Sequence, residues 1–370
     1  MAVQAYIKES GDKSILEEKV GYYKSDLAET VFLHMKRGID SLYSHQGEHG
    51  LSLWGGGDWN DSMNNCGLQM KGESVWLSIA TVKATDDYLD ILTHCFTEQE
   101  VVEIIEDVKA KRKKLTENII RYGFEEDHFI YGFNDWGEKV GSYECEEGKI
   151  FLNPQTWAVM AKILPEDKLN ALMDTVENKL KCAYGYLQNY PAYTKNDPHI
   201  GRVTYFVPGI YENGSVYNHG VMFKIAADCM LKRADNAYET LKMIRYDNPA
   251  NSNSGVEPYA ITNMYFGPQC IAQSGYAPCS WVTGSAGLLY RIVSEFILGI
   301  KPDYDGLIID PCIPSEWNEI EVERVFRGKK FIFKYRRKGN CGIFVDGKEI
   351  DGNKILVNHE KDIVKVEVEF

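Results

Sequence analysis

No two of the nine cysteines stand at the CxxC spacing of a zinc or redox pair, and their number is odd. The expectation is a chain of reduced thiols in the cytoplasm, without a metal site. Nowhere do 18 apolar residues run together, so no segment is long enough to cross a bilayer as a helix. The first residues also lack the charged-then-apolar order of a signal peptide. Positive charge is in deficit: 41 Lys and Arg face 54 Asp and Glu, a net charge of −13 over 370 residues. Such a field repels phosphate backbones and anionic lipid, which argues against nucleic acid or a membrane as partner. The richest basic run, KAKRKK at 109–114, follows acidic Glu103, Glu106 and Asp107 and reads as the solvated face of a helix.

What is present is a large apolar fraction, 44%, enough for a sizeable core, and an aromatic fraction of 12% that suits sugar-stacking clefts as well as cores. Met1 enters helical periodicity with no capping residue before it, so the first helix reads as cut rather than started, and the chain as a fragment. Helical apolar patterns follow at 26–42, 74–92, 97–122, 154–163, 166–182, 217–230, 234–244 and 284–298, separated by loops rich in Gly, Asn and Tyr. After residue 300 the period changes. Short runs at 307–309, 319–326, 330–336 and 341–345 alternate with turn signals, 362–370 alternates with period two, and Asp346-Gly347 fits a type I′ hairpin. The expected fold class is mainly α with a C-terminal β domain: a partial helical toroid over 1–300 and a small β unit over 301–370.

Three segments carry chemistry. GGGDWNDSMN, residues 55–64, joins three glycines, which let main chain approach a ligand, to Asp58 and Asp61 on either side of Trp59. A glycosidic oxygen leaves only once protonated, so a carboxylic acid beside an apolar wall suits glycoside cleavage. The same composition would serve a loop whose aspartates cap the next helix. PGIYENGSVYNH, 208–219, is expected to expose Glu212, Asn213, Tyr217 and His219 on one rim, or else to cap a helix over a buried histidine. WVTGSAGLLY, 281–290, leads Thr283 and Gly284 into a helix start, which is a ready anion site and equally an ordinary cap.

Together with KGESVW (71–76), LNPQTWAV (152–159), EPY (257–259) and IDPCIPSEW (309–317), these segments resemble the inverting glycoside phosphorylases of cellobiose, cellodextrin and chitobiose. The resemblance spans nearly the whole chain. It implies an (α/α)6 toroid followed by a jelly-roll-like β-sandwich, and it implies roles. Asp61 would be the general acid, and Asp58, Trp59 and Glu212 would contact or wall the sugar. His219, Thr283 and the Gly284 N–H would hold inorganic phosphate, a co-substrate, with no cofactor required. Phosphate is already an anion and needs no base, so one carboxyl group suffices for inverting phosphorolysis of a β-glucoside to an α-sugar 1-phosphate. The family also implies a homodimer for the full-length protein, and further N-terminal domains whose side chains help hold donor sugar and phosphate.

One departure is Asn263, where many members carry glutamine. Lys195 and Arg202 in the loop 190–202 make an acidic acceptor conceivable. Two other readings stay open: an inverting hydrolase with Glu212 or Asp58 as base, and a sugar-binding chain without turnover.

Overall fold

The computed structural model describes residues 1–280, 282–339, 341–357 and 361–370. Nine α-helices are described: α1 (Ala2–Ser10), α2 (Val31–Ser44), α3 (Val75–Cys95), α4 (Glu98–Asn118), α5 (Leu152–Met160), α6 (Glu166–Leu180), α7 (Asn218–Met230), α8 (Ala234–Met243) and α9 (Ser285–Arg291). Each falls where the apolar period places one. The α2 pattern begins late because 19–30 closes first into a hairpin, Lys19–Gly21 against Ala28–Thr30, whose last residue then caps the helix through Leu33 N–H. Both α4 and α9 end in a π-helical stretch, Ile119–Gly123 and Ile292–Ile297.

Burial sorts the helices into two kinds. Nearly every residue of α5 and α7 is buried, and α3 is buried on several faces. A helix apolar all round belongs in the middle of a core. By contrast α4 buries Val101, Val108, Leu115 and Asn118, a single stripe, and leaves its KAKRKK run solvated, with Arg112 on Asp86 of α3. Contacts follow the same division: α3, α5 and α7 pack on one another in that order, while α4, α6 and α8 each back one of them. Buried Lys224 of α7 binds Glu177 of α6 at 2.7 Å, Thr240 of α8 at 2.8 Å and Asp228 at 2.7 Å, so the charge that would be costly alone clamps three helices.

Strands dominate beyond α9. Ile300–Pro302 (β1), Gly306–Ile309 (β2) and Lys354–Leu356 (β7) form one sheet. The other runs in the order Glu319–Phe326 (β3), Lys329–Arg336 (β4), Ile363–Glu369 (β8), Gly342–Val345 (β5), Lys348–Glu349 (β6). Among the described residues only β4 and β8 pair in parallel. Val364, Val366 and Val368 are buried while their neighbours face out, as period two requires. Asp346 and Gly347 both have positive φ, 50° and 80°, as a type I′ turn needs. The sheets share one apolar cluster with the helices, from Leu51 to Val368. Tyr335 Oη donates to Leu298 O at 2.8 Å, and the Arg327 guanidinium donates to carbonyls of Lys8, Asp303 and Tyr304. Among the described residues no sheet closes into a barrel.

Candidate active site

Two of the three sequence-marked segments precede the inner helices α3 and α7, and the third precedes α9, which packs on α7. The first loop is bent back on itself by Gly55 and Gly57, at φ 60° and 139°. A Cβ on Gly57 would only just touch Asp61 Cα, at 3.4 Å, but φ 139° is a conformation that side-chain-bearing residues rarely adopt. Loop 60–65 is then zipped to loop 200–203: Val203 N–H donates to Ser62 O at 2.8 Å, Asn65 N–H to Ile200 O at 3.2 Å, and Arg202 N–H to Asn64 Oδ1 at 3.0 Å.

Asp58 is a brace. Its Oδ1 accepts from Asn60 N–H and Tyr131 Oη, both at 2.9 Å, and its Oδ2 accepts from Ser74 Oγ at 2.7 Å. Ser74, rather than either aspartate, caps α3 by accepting from Leu77 N–H. Burial pushes the Asp58 carboxyl up to about 6, against the pull of its three donors. Sequence reasoning missed Tyr131 and Ser74, since nothing local to GGGDWND announces partners so far along the chain.

Asp61 faces outward. Its side chain is 76% exposed, and its recorded partner is the Arg202 guanidinium, Nη2 to Oδ2 at 3.5 Å. Glu212 is close enough for Asp61's charge to matter: burial first, then that negative charge, raise the Glu212 carboxyl, with Arg202 opposing. The turn that carries Glu212 is pinned by buried Asn213, whose amide accepts from Tyr193 N–H at 2.7 Å and donates to Tyr193 O and Phe206 O at 2.9 Å.

On the other flank, Trp59 reaches His219 in the first turn of α7, its Nε1–H donating to His219 Nδ1 at 3.1 Å. Tyr217 meets the Trp59 ring edge-on at 5.3 Å between centroids, and Phe223 closes behind at 6.4 Å. Burial lowers the His219 pKa. A neutral imidazole that accepts at Nδ1 carries its proton on Nε2, and among the described residues no hydrogen bond occupies that nitrogen. Asn263 O accepts from Asn218 N–H at 2.9 Å, so this departure from the family pattern lies beside the same wall.

The third segment stands apart. Thr283 Oγ1 accepts from Ser285 N–H at 3.0 Å and donates to Ser285 Oγ at 2.7 Å, which is a capping arrangement. Among the described residues no hydrogen bond joins Thr283 or Gly284 to Asp61, Trp59, Glu212 or His219. Gly284 is exposed and a Cβ there would meet nothing within 4 Å. Trp281, which opens this motif, lies outside the described residues. Among the described residues no group of three or more His, Cys, Asp or Glu is placed to hold a metal ion, and no helix is long and apolar enough to cross a membrane.

The family model described as the glycosyl hydrolase 94 superfamily, catalytic domain, matches residues 1–299. This chain belongs to that family. It is 41% identical over 358 residues to a solabiose phosphorylase of Paenibacillus borealis, a match covering 95% of this chain and 46% of the relative. Against a 3-O-beta-D-glucopyranosyl-beta-D-glucuronide phosphorylase of the same organism identity is 33%, covering 94% and 46%. Against an N,N'-diacetylchitobiose phosphorylase of Vibrio furnissii it is 29%, covering 94% and 43%. The chain thus spans about half the length of the curated relatives it matches. Among solved structures it is similar to a sialidase, TM-score 0.64 at 13% identity over 96% of this chain and 32% of the other. A GH78 family rhamnosidase of Bacillus sp. GL1 gives 0.59 at 14%, over 100% and 33%. At those identities the likeness shows fold alone. The family 94 membership agrees with the resemblance read from the motifs.

Proposed function

We propose that this chain carries the acid and anion halves of an inverting β-glycoside phosphorylase. The observation that carries the reading is the division of one loop: Asp61 projects from an open rim, while Trp59 beside it holds a neutral His219 with its Nε2–H uncommitted. Asp61 gives its proton to the bridging oxygen as the bond to the anomeric carbon breaks. Phosphate, oriented by His219 Nε2–H with Thr283 and the Gly284 N–H, forms the new bond from the opposite face. A β-glucoside so becomes an α-sugar 1-phosphate, and the released sugar takes the proton. Asp61 recovers its own from solvent. No cofactor enters.

Asp58, Trp59 and Glu212 take the sugar wall, Asp58 indirectly through the loop it braces. The alternation of inner α3, α5, α7 with outer α4, α6, α8 supports part of an (α/α)6 toroid. The two sheets after residue 300 support a β-sandwich as a second domain over 301–370. A cytoplasmic homodimer completes the proposal. The test is an assay of the intact protein with phosphate and neutral β-linked disaccharides. Sugar 1-phosphate that appears only with phosphate supports phosphorolysis. Free reducing sugar released equally without phosphate selects hydrolysis, and sugar binding without turnover selects a binding chain.

A further inference from the structure

The proposed chemistry leaves one aromatic surface unused. Trp136 is 48% exposed, and its ring lies against the His199 imidazole with centroids 3.7 Å apart and planes 15° from parallel. Both rings are fixed before any ligand arrives. Asn134 Oδ1 accepts from Trp136 N–H at 3.0 Å and from Glu138 N–H at 2.9 Å, closing the turn. Glu138 Oε2 takes the Asn134 amide at 2.6 Å and faces His199 Nδ1 at 3.0 Å, while Asp197 Oδ1 accepts from His199 N–H at 2.8 Å. Preorganised rings lose little ordering entropy on binding.

The Trp136 half of the stack is tied to residues 69–72, which follow the Asp61 loop, and the His199 half continues into residues 200–203, which are zipped to 62–65. Asp135, next to Trp136, accepts N–H bonds from Gln69 at 2.6 Å, Lys71 at 3.1 Å and Gly72 at 2.9 Å. His199 precedes Arg202 by a stretch of chain that spans at most about 11 Å, and Arg202 faces Asp61. Among the described residues no hydrogen bond or ring contact joins the stack to Trp59 or His219, which pair with each other, and its link to Asp61 runs through the chain that carries Arg202.

Beside the stack is a cavity of about 650 Å³, lined among others by Asn134, Glu138, Tyr193, Lys195, Asp197 and His199. That volume is in the range of small-ligand sites. Lys195 already faces Glu146 at 2.7 Å, and Lys139 faces Glu125 at 2.6 Å. Carboxylates with their cations engaged accept from hydroxyls and repel anions, and a flat indole takes the apolar face of a sugar ring. We propose that the Trp136–His199 stack and this cavity form an additional subsite on the leaving-group side of Asp61, taking a neutral pyranose ring of substrates longer than a disaccharide. This rests on Asp61 being the acid. An acidic ring is disfavoured, contrary to the acceptor that Lys195 and Arg202 suggest in the sequence.

The test compares Trp136→Ala, Trp136→Phe and His199→Ala with the unaltered intact protein, using a neutral β-linked glucose trisaccharide, the matching disaccharide and a uronic-acid-ended trisaccharide. In phosphorolysis, Trp136→Ala and His199→Ala should raise the neutral trisaccharide KM by about three- to tenfold. The disaccharide KM and kcat should stay unchanged, and Trp136→Phe should retain most of the preference. Equal effects on di- and trisaccharide, or none on either, overturn the subsite. Tighter binding of the uronic-acid probe overturns its neutrality. If the intact protein performs no phosphorolysis, the Asp61 reading fails, and calorimetric titration of the neutral trisaccharide judges the subsite by itself. Binding that Trp136→Ala weakens supports it, and equal binding or no binding to the unaltered protein overturns it.

Discussion

Asp58 and Asp61 belong to one glycine-led loop and live in opposite surroundings. Asp58 is half-buried, accepts from Asn60, Ser74 and Tyr131, and is pushed up to about 6 by burial. Asp61 stands 76% exposed with Arg202 at 3.5 Å. A carboxylate whose lone pairs are committed to three donors holds a shape, and a carboxyl on an open rim is free to meet an incoming oxygen. The two are the same residue type in one motif, and the proposed division, Asp58 for the shape of the loop and Asp61 for proton transfer, follows from these surroundings. Predictions that separate them run from turnover down to a surface pair.

Asp61→Asn removes the transferable proton, and phosphorolysis by the intact protein should fall by about 10²–10⁴-fold with thermal stability unchanged. Near-normal turnover would take Asp61 out of the role. His219→Ala should raise the phosphate KM by about 10- to 100-fold, the equivalent of one strong hydrogen bond to a charged group, with little change for the sugar. Trp59→Phe leaves Nδ1 unpartnered without removing His219, so its phosphate effect should be smaller. Unaltered phosphate dependence in both variants would break the anion half of the account.

Asp58→Ala leaves the Asn60, Ser74 and Tyr131 donors unpaired, and denaturant unfolding should show a loss of about 1–3 kcal/mol. The pH profile sharpens this. Because the folded carboxyl sits near 6, above its ordinary 3.8, its contribution is fully present below about 3.8 and is lost as pH rises through about 6. Asp58→Asn should therefore compare more favourably with the unaltered chain at pH 8 than at pH 4. His219 has the opposite sign: its lowered pKa favours folding above its unfolded value and loses that as pH falls. A pH-independent difference for Asp58→Asn would show that the aspartate is not held as described. Smallest of all, Arg202→Gln breaks a pair exposed on both sides and should change stability by no more than about 1 kcal/mol, as unfolding curves can check.

Most helices were legible because a buried stripe repeats with the helical turn, as Val101, Val108 and Leu115 do in α4. The final strand was legible for the matching reason at period two. The late start of α2 was not, since the hairpin before it depends on pairing between Lys19 and Thr30. Nor were the π-helical ends at Ile119 and Ile292. Within the site, residue types alone left Asp58 and Asp61 alike, and only the family resemblance gave them different roles; the contrast in their surroundings was not legible. That distinction is made by Tyr131, which reaches back to the loop from beyond α4, and by the loop at 200–203 that zips onto Asn64 and Asn65. Thr283 shows the converse, since its hydroxyl is engaged as a cap and its link to His219 remains a proposal.

The most direct test uses a leaving group that needs no proton. Asp61→Asn and Asp58→Asn are each assayed in the intact protein with a β-disaccharide and with a β-glucoside of a strongly acidic phenol, following phosphate-dependent release of sugar 1-phosphate. The account predicts that Asp61→Asn regains most of the lost rate on the aryl glucoside, because only protonation is missing. It predicts that any deficit of Asp58→Asn is the same on both substrates. Equal loss on both substrates for Asp61→Asn, or selective rescue of Asp58→Asn, would contradict the assignment of the acid.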